Sequence, residues 1–380
     1  VVTATTHTTT VIRVLTDRQC FPVIQYSTTS RFAESGTFDN KVTGIRSCSS
    51  YVFGLMDLEP GTRYYYRVKG CGDDEKIRSF ATFPVTGTCS FVIYGDSREQ
   101  VPLYTQTERH KLVADRIADE QDILFVVNSG DLVADSADGE EWSRFFNSTD
   151  KLRSRTTYIA VPGNHDKDRA LFRDLFGIAG PYFLDCGNAR ILLLDSTDEA
   201  NENLTEQAVR VSSAFSSFHG AEIVILHHPP YSSDEKHYGG WENLQKELVP
   251  AFQESGVRLV FSSHVHAFEQ VTRDGITYIT DARGGAPAYP LNITRIPGSV
   301  RAFENTLGYS RVTVDPNSGE IMIDVIRVAD VRPDLRSLTR MYPAGTADAR
   351  IVIPLRKSYL KFPAIADLMG LPMLKKDHAR

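Results

Sequence analysis

The chain has 380 residues, a formal net charge of −6, 41% hydrophobic and 24% charged residues, which leaves room for two domains and a sizeable core. The acidic balance gives no ground for nucleic-acid binding, and no apolar run approaches the roughly 20 residues a membrane-spanning helix needs. The charge is uneven: residues 331–380 hold ten Lys/Arg against four Asp/Glu, leaving 32 basic and 44 acidic residues in 1–330, so a +6 tail follows a −12 body. The simplest reading lays the tail over that body; binding to another surface is the alternative.

In chain order, the Thr-rich residues 1–10 are expected to be a loose terminus. The start at Val1-Val2-Thr3, without Met, fits a mature protein after loss of a secretory signal, or a trimmed chain. Residues 11–83 read as short strands and turns, with Tyr64, Tyr66 and Val68 on one face of a strand. Residues 88–285 alternate strands with helix candidates at 103–120, 140–153, 168–176, 205–218 and 241–255, the pattern of layered α/β architecture. Residues 276–330 turn β-rich again, with Asp315-Pro316 and Asn317-Ser318-Gly319 marking a turn. Five prolines in the last 50 residues exclude long helices there.

Cys20, Cys48, Cys71 and Cys89 fall in the first 90 residues and Cys186 stands apart. No C-x-x-C pair supports a zinc knuckle. The first four are expected to form two disulfides in an oxidising compartment, with the pairing open and four buried thiols as the alternative. Three N-x-T sequons, at Asn147, Asn203 and Asn292, matter only in a eukaryotic secretory pathway.

The chemistry lies at five strand ends: Gly95-Asp96-Ser97-Arg98, Gly130-Asp131, Gly163-Asn164-His165-Asp166, His227-His228 and His264-Val265-His266. Each follows an apolar β-type run, and the carboxyl edge of an α/β sheet is where ligands bind. Asp96 and Asp131 offer hard oxygens, Asn164 a neutral carbonyl, and His227, His264 and His266 imidazole nitrogens. This mixed set suits Mn, Fe, Zn or Co better than Ca or a thiolate-seeking metal. A central carboxylate such as Asp131 can bridge two cations. His7, His110, His219 and His378 lie in no cluster and read as structural or exposed.

The order GD, GD, GNHD, HH, H-x-H resembles the motif set of calcineurin-like metallophosphoesterases. The β-rich N-terminus and the Ala267-Phe268-Glu269-Gln270 run resemble purple acid phosphatases and their bacterial relatives, and Leu58–Tyr64 resembles the tyrosine corner of fibronectin type III sandwiches. The resemblance covers residues 11–330. It implies an α/β (α+β) fold, a layered β-sheet sandwich flanked by helices, preceded by an all-β fibronectin type III-like sandwich. The divisions expected are 1–86, 87–330 and a basic extension at 331–380. One metal would be held by Asp96, Asp131 and His266, the other by Asp131, Asn164, His227 and His264. Asp131 would bridge two divalent or trivalent transition-metal ions. His165, oriented by Asp166, would contact phosphate or protonate the leaving group, and His237 would face the substrate. His228 would lie beside the metals or touch phosphate.

The resemblance has departures. Purple acid phosphatases carry Tyr three residues after the second Asp, where this chain has Ala134; many other members carry His two residues after the first Asp, where this chain has Arg98. The first metal thus has three visible protein ligands. Arg98, a forked charged donor, suits either a phosphate contact or a structural ion pair. Ser263 replaces the usual Gly before the first His of H-x-H, and strain is expected there if its backbone is left-handed. The function implied is hydrolysis of phosphate mono- or diesters by a dinuclear centre with a metal-bound hydroxide as nucleophile. The expected partner is a small phosphate ester or nucleotide-like substrate, and the expected location is secreted, periplasmic or cell-envelope. The competing reading is a degenerate cell-surface binding protein on the same fold.

Overall fold

The structure is a computed structural model and describes residues 1–72, 76–177, 181–197, 203–332 and 337–355. Pro333, Pro363, Pro372, His378 and most of the basic tail lie outside the described residues, as do residues 198–202.

Seven strands come first: β1 (Val2–Thr5), β2 (Thr10–Cys20), β3 (Val23–Thr28), β4 (Asn40–Thr43), β5 (Cys48–Leu55), β6 (Arg63–Lys69) and β7 (Arg78–Ala81), with α1 (Thr29–Ser35) after β3. They form two sheets, β1-β2-β5 and β4-β3-β6-β7, every pairing antiparallel. Their inner faces meet in a core of Val2, Ile12, Ile24, Phe53, Leu55, Tyr64, Tyr66 and Phe80. Tyr64 and Tyr66 point inward as the alternation predicts, and the Tyr64 hydroxyl accepts a hydrogen bond from the Glu59 N–H at 2.8 Å. The Thr-rich terminus is not loose. β1 pairs with β2, Val2 is fully buried, and the Thr5 hydroxyl bonds to that of Thr157 at 2.7 Å. β-branched threonines suit a strand, and here they also satisfy one another's hydroxyls.

The body follows as β8 (Cys89–Tyr94), α2 (His110–Ala118), β9 (Phe125–Asn128), α3 (Gly139–Arg153), β10 (Thr157–Ala160), α4 (Arg169–Phe176), β11 (Tyr182–Cys186), β12 (Ala189–Leu193), α5 (Leu204–Phe215), β13 (Ala221–Ile225), α6 (Glu242–Glu247), α7 (Val249–Glu254), β14 (Leu259–Ser262), β15 (Phe268–Arg273), β16 (Ile276–Asp281), β17 (Ser299–Phe303), β18 (Thr306–Asp315), β19 (Glu320–Val331), β20 (Leu338–Met341) and β21 (Ala347–Pro354). One sheet runs β10-β9-β8-β18-β19-β20, with β21 also on β19; the other runs β11-β12-β13-β14-β16-β15-β17. Strands β8, β9 and β10 are parallel, as are β12, β13, β14 and β16.

The two sheets face each other. Phe91, Ile93, Phe125 and Val127 of the first meet Ile191, Ile223, Ile225 and Phe261 of the second. The opposite faces carry helices: Val92, Val126 and Tyr158 pack on residues of α2, α3 and α4, while Leu192, Val224 and Val260 pack on α5, α6 and α7. A strand covered on both faces is buried along its length, and β8, β9 and β13 are accordingly near-continuous apolar runs, broken only by Ser90, Asn128 and Glu222. Two predicted helices are revised. The first begins only at His110, and 241–255 is two short helices with Pro250 in the first turn of the second, where its missing N–H costs nothing. Strands β20 and β21 fall within the residues the sequence set apart as an extension.

The cysteine expectation is half corrected. Cys20 pairs with Cys71 inside the sandwich, but Cys89 pairs with Cys186, and Cys48 is free. Cys89 on β8 and Cys186 on β11 lie in the core between the two large sheets, so this bridge ties one sheet to the other. Spacing could not reveal a pair 97 residues apart. Iodoacetamide under denaturing, non-reducing conditions should label Cys48 alone; labelling of Cys186 would contradict the pairing. Cys89→Ala/Cys186→Ala should lower unfolding free energy by roughly 2–5 kcal/mol, read from a denaturant midpoint.

Candidate metal centre

Six candidate donors converge from two sheets. Asp96, Asp131 and Asn164 follow β8, β9 and β10; His227 follows β13, and His264 and His266 follow β14. The carboxyl edges of both parallel runs therefore meet at one place. The chain turns sharply to present these side chains: Asp96 and Asp131 have φ of 55°, His264 of 69° and His266 of 43°. Left-handed backbone is strained for residues other than glycine, and Asp and His tolerate it better than most. Ser263, where strain was expected, is not in that region. Its hydroxyl instead bonds that of Ser129, and the strain falls on the two histidines. Glycine is required beside the donors: a Cβ at Gly163 would strike the Asp131 carboxylate, and one at Gly130 would strike the His227 ring.

The donors form two adjoining groups. In the first, Asp96, Asp131 and His266 are all buried, with ligand atoms within 4.8 Å of one another. Asp96 Oδ1 and His266 Nε2 lie 3.1 Å apart, and neither has a hydrogen-bond partner. In the second, Asn164 Oδ1 is 2.8 Å from His264 Nδ1 and 3.1 Å from His227 Nε2, and the two nitrogens are 3.1 Å apart. Asp131 lies between: its Oδ1 is 3.4 Å from His227 Nε2. Donor atoms about 3 Å apart are the edges expected around an ion with bonds of ~2.0–2.2 Å.

Backbone carbonyls fix the histidine tautomers. His227 Nδ1–H donates to Ser129 O at 3.0 Å, His266 Nδ1–H to Pro287 O at 2.5 Å and His228 Nδ1–H to Ser196 O at 2.7 Å. This leaves the Nε2 lone pairs of His227 and His266 free, the outer support expected of metal-binding imidazoles. His228 and His264 also come together with His227, so His228 lies against the site with only Nε2 uncommitted.

Burial sets the charges. Asp96 is pushed up to about 7 by burial, against the pull of His227. For Asp131 burial is outweighed by His227, His165 and Arg98, so it stays below the usual carboxylate range. Burial drives His266 down to about 3 and depresses His264 further. Burial thus keeps the His264 and His266 imidazoles neutral beside crowded carboxylates.

The residues expected to act on substrate are also here. His165 Nδ1–H donates to the Ala134 carbonyl at 2.7 Å, and its Nε2 is 4.0 Å from Asp131 Oδ2. Asp166 does not orient it. The Asp166 carboxylate accepts from Leu132 N at 3.1 Å and Gly163 N at 2.9 Å, pinning the loops after β9 and β10 to each other. The Asp after His165 points inward beneath the loop, a direction no spacing rule gives. His237 is in the site rather than loose: Nδ1 is 2.7 Å from Asp234 Oδ2, and the ring stacks on Trp241 and meets His264 edge-on. Glu269 holds this loop by accepting from Ser233 N at 2.7 Å and Ser233 Oγ at 2.6 Å. Arg98 Nε is 3.9 Å from Asp131 Oδ2, and Nη2 donates to the Tyr289 hydroxyl at 3.2 Å. Sequence reasoning missed Asp234, Trp241, Tyr289 and the Ala134 and Pro287 carbonyls; only the aromatics in the two flanking loops offered any signal.

Asp166→Ala should cost roughly 2–4 kcal/mol of stability, because two buried N–H groups lose their acceptor. Thermal or denaturant melts check this. A selective change in the pH–rate profile at unchanged stability would instead restore an orienting role.

Three comparisons bear on this geometry. The family model for calcineurin-like phosphoesterases matches residues 103–268, which include every candidate donor except Asp96 and also exclude Arg98. Purple acid phosphatase 22 of Arabidopsis thaliana is 25% identical over 340 residues, 78% of this chain and 74% of its own. Purple acid phosphatase 21 of the same plant is 23% identical over 73% of this chain and 70% of its own. Among solved structures, the purple acid phosphatase PPD1 from yellow lupin (Lupinus luteus) seeds has a TM-score of 0.74 at 14% identity, covering 99% of this chain and 77% of its own. The structure of PhoD has a TM-score of 0.68 at 11% identity, covering 94% and 90%. With the strand-end motifs and the two-sheet architecture, these matches show a chain that is similar to purple acid phosphatases and carries a calcineurin-like phosphoesterase match over residues 103–268.

Proposed function

We propose that the protein hydrolyses phosphate mono- or diesters at a dinuclear transition-metal centre, with Asp131 shared between the two ions. The observation that carries this reading is the buried Asp96 Oδ1–His266 Nε2 pair, two lone-pair atoms 3.1 Å apart with no proton donor to join them. Only a cation or a shared proton relieves such a pair, and next door Asn164, His227 and His264 crowd together where a single His264 Nδ1–H can serve only one of the other two atoms. Asp96, Asp131 and His266 would hold one ion, and Asp131, Asn164, His227 and His264 the other; Mn, Fe, Zn and Co all suit this mixed set. Two bound cations supply charge neutralisation at the phosphoryl oxygens and acidify a water toward a pKa of ~7.

The chain's own groups do the rest. Because Nδ1–H of His165 is committed to the Ala134 carbonyl, its Nε2 is the atom that carries an exchangeable proton, and its side chain is one-third exposed beside Asp131. That supports reading His165 as the general acid for the departing oxygen, worth about 10²–10⁴ in rate. Asp234 fixes the His237 ring, and we place that ring and Arg98 on the substrate side. Intact donors in both groups argue against a degenerate binding protein.

We further propose a fibronectin type III-like domain at 1–86 and a phosphoesterase domain that begins at 87 and, because β20 and β21 join its first sheet, continues past 330. Two disulfides suit an oxidising compartment, and no helix among the described residues is long and apolar enough to cross a membrane. A secreted, periplasmic or cell-envelope location is proposed on that ground.

Chelation should abolish hydrolysis of an aryl phosphate or diester, and Mn, Fe, Zn or Co should restore it. His165→Ala should then slow esters with poor leaving groups by about 10²–10⁴ and spare good ones. Hydrolysis that survives chelation, or equal loss across leaving groups, would contradict the assignment.

A further inference from the structure

The orphaned polar atoms at the site are of two opposite kinds. Asp96 Oδ1 and His266 Nε2 are acceptors that call for a cation. Arg98 Nε is a buried donor without a partner, and a donor calls for an anion. At 3.9 Å from Asp131 Oδ2 it attracts that carboxylate but is too far for a hydrogen bond. Beside it stands Tyr289, whose hydroxyl accepts from Arg98 Nη2 at 3.2 Å and so keeps its own proton to give. No acceptor for that proton is recorded among the described residues.

Tyr289 is held rigidly. Its ring stacks on the His266 imidazole with centroids 3.9 Å apart. Its loop is fastened to the site by Gly284 N–H to Gly95 O at 2.9 Å, by Ala286 N–H to Asp96 O at 2.8 Å and by His266 Nδ1–H to Pro287 O. Stacking sets the phenol ring over the face of the His266 imidazole, with its hydroxyl at Arg98.

We propose that Arg98 and Tyr289 form a donor pair that grips a phosphoryl oxygen of the bound ester, and that this pair favours monoesters over diesters. The inference rests on the phosphoesterase reading and narrows it. A monoester presents three non-bridging oxygens and a second negative charge; a diester presents two and one. Donors added beside a dinuclear centre therefore have an oxygen to hold in a monoester that a diester has already esterified. The pair binds; it transfers no proton.

The test uses metal-loaded wild type and Tyr289→Phe, which keeps the stacked ring and removes only the hydroxyl, with Arg98→Ala and the double variant. Metal per chain is measured with inorganic phosphate binding by calorimetry, and with kcat/KM for an aryl phosphate and the matching diaryl phosphate. Tyr289→Phe should keep its metal, weaken phosphate binding on the order of tenfold, and lower the monoester-to-diester preference by a like factor. Arg98→Ala should do at least as much, and the double variant should lose less than the product of the two, since each group orients the other. Phosphate affinity within twofold of wild type, or loss of a metal ion from Tyr289→Phe, overturns the proposal. Absence of ester hydrolysis by wild type would fail the broader reading, while phosphate binding would still decide the donor pair.

Discussion

Everything at this site follows from lone pairs that face one another inside the protein. Asp96 Oδ1 and His266 Nε2 meet at 3.1 Å, and beside them Asn164, His227 and His264 crowd to 2.8–3.1 Å, where one His264 Nδ1–H can satisfy only one of its two neighbours. Unrelieved, such contacts are costly in a buried setting. Yet the chain spends much structure on holding them: four left-handed non-glycine residues, glycines at two close approaches, and carbonyls locking three imidazoles. The strain and the crowding make sense together as a cage for positive charge.

The fold makes the cage possible because two sheets, rather than one, bring their carboxyl edges together. The carboxylates and Asn164 come from one sheet and the imidazoles from the other. Their relative position therefore depends on the apolar layer between the sheets and on the Cys89–Cys186 bridge across it. The same arrangement brings the loops at 231–241 and 283–291 against the site, His237 on His264 and Tyr289 on His266, and joins them to each other by Glu235 N–H to Pro290 O. Ala134 illustrates how little a missing side chain need disturb: its carbonyl, available whatever the residue, positions His165.

The donors were legible in sequence because each sits directly after a continuous apolar strand, and such strands are hard to disguise when both faces are buried. Alternation likewise revealed the Tyr64–Tyr66 face. What could not be read depends on direction or distance. Asp166 follows His165 yet turns beneath the loop to Leu132 and Gly163. Tyr289 stands 191 positions from the Arg98 it touches. Cys186 finds Cys89 across two sheets, and Thr-rich residues 1–10, polar by composition, are ordered by pairing with β2 and by contact with β10. In each case tertiary packing, which periodicity does not encode, decided the outcome.

The central claim is that Asp131 joins two cation sites. Metal content per chain, measured by elemental analysis after reconstitution and removal of loose ions, tests it most directly. Wild type should hold two ions, Asn164→Ala should lose chiefly one, and Asp131→Asn should lose both. Fewer than one ion in wild type, or full occupancy in Asp131→Asn, would contradict the account.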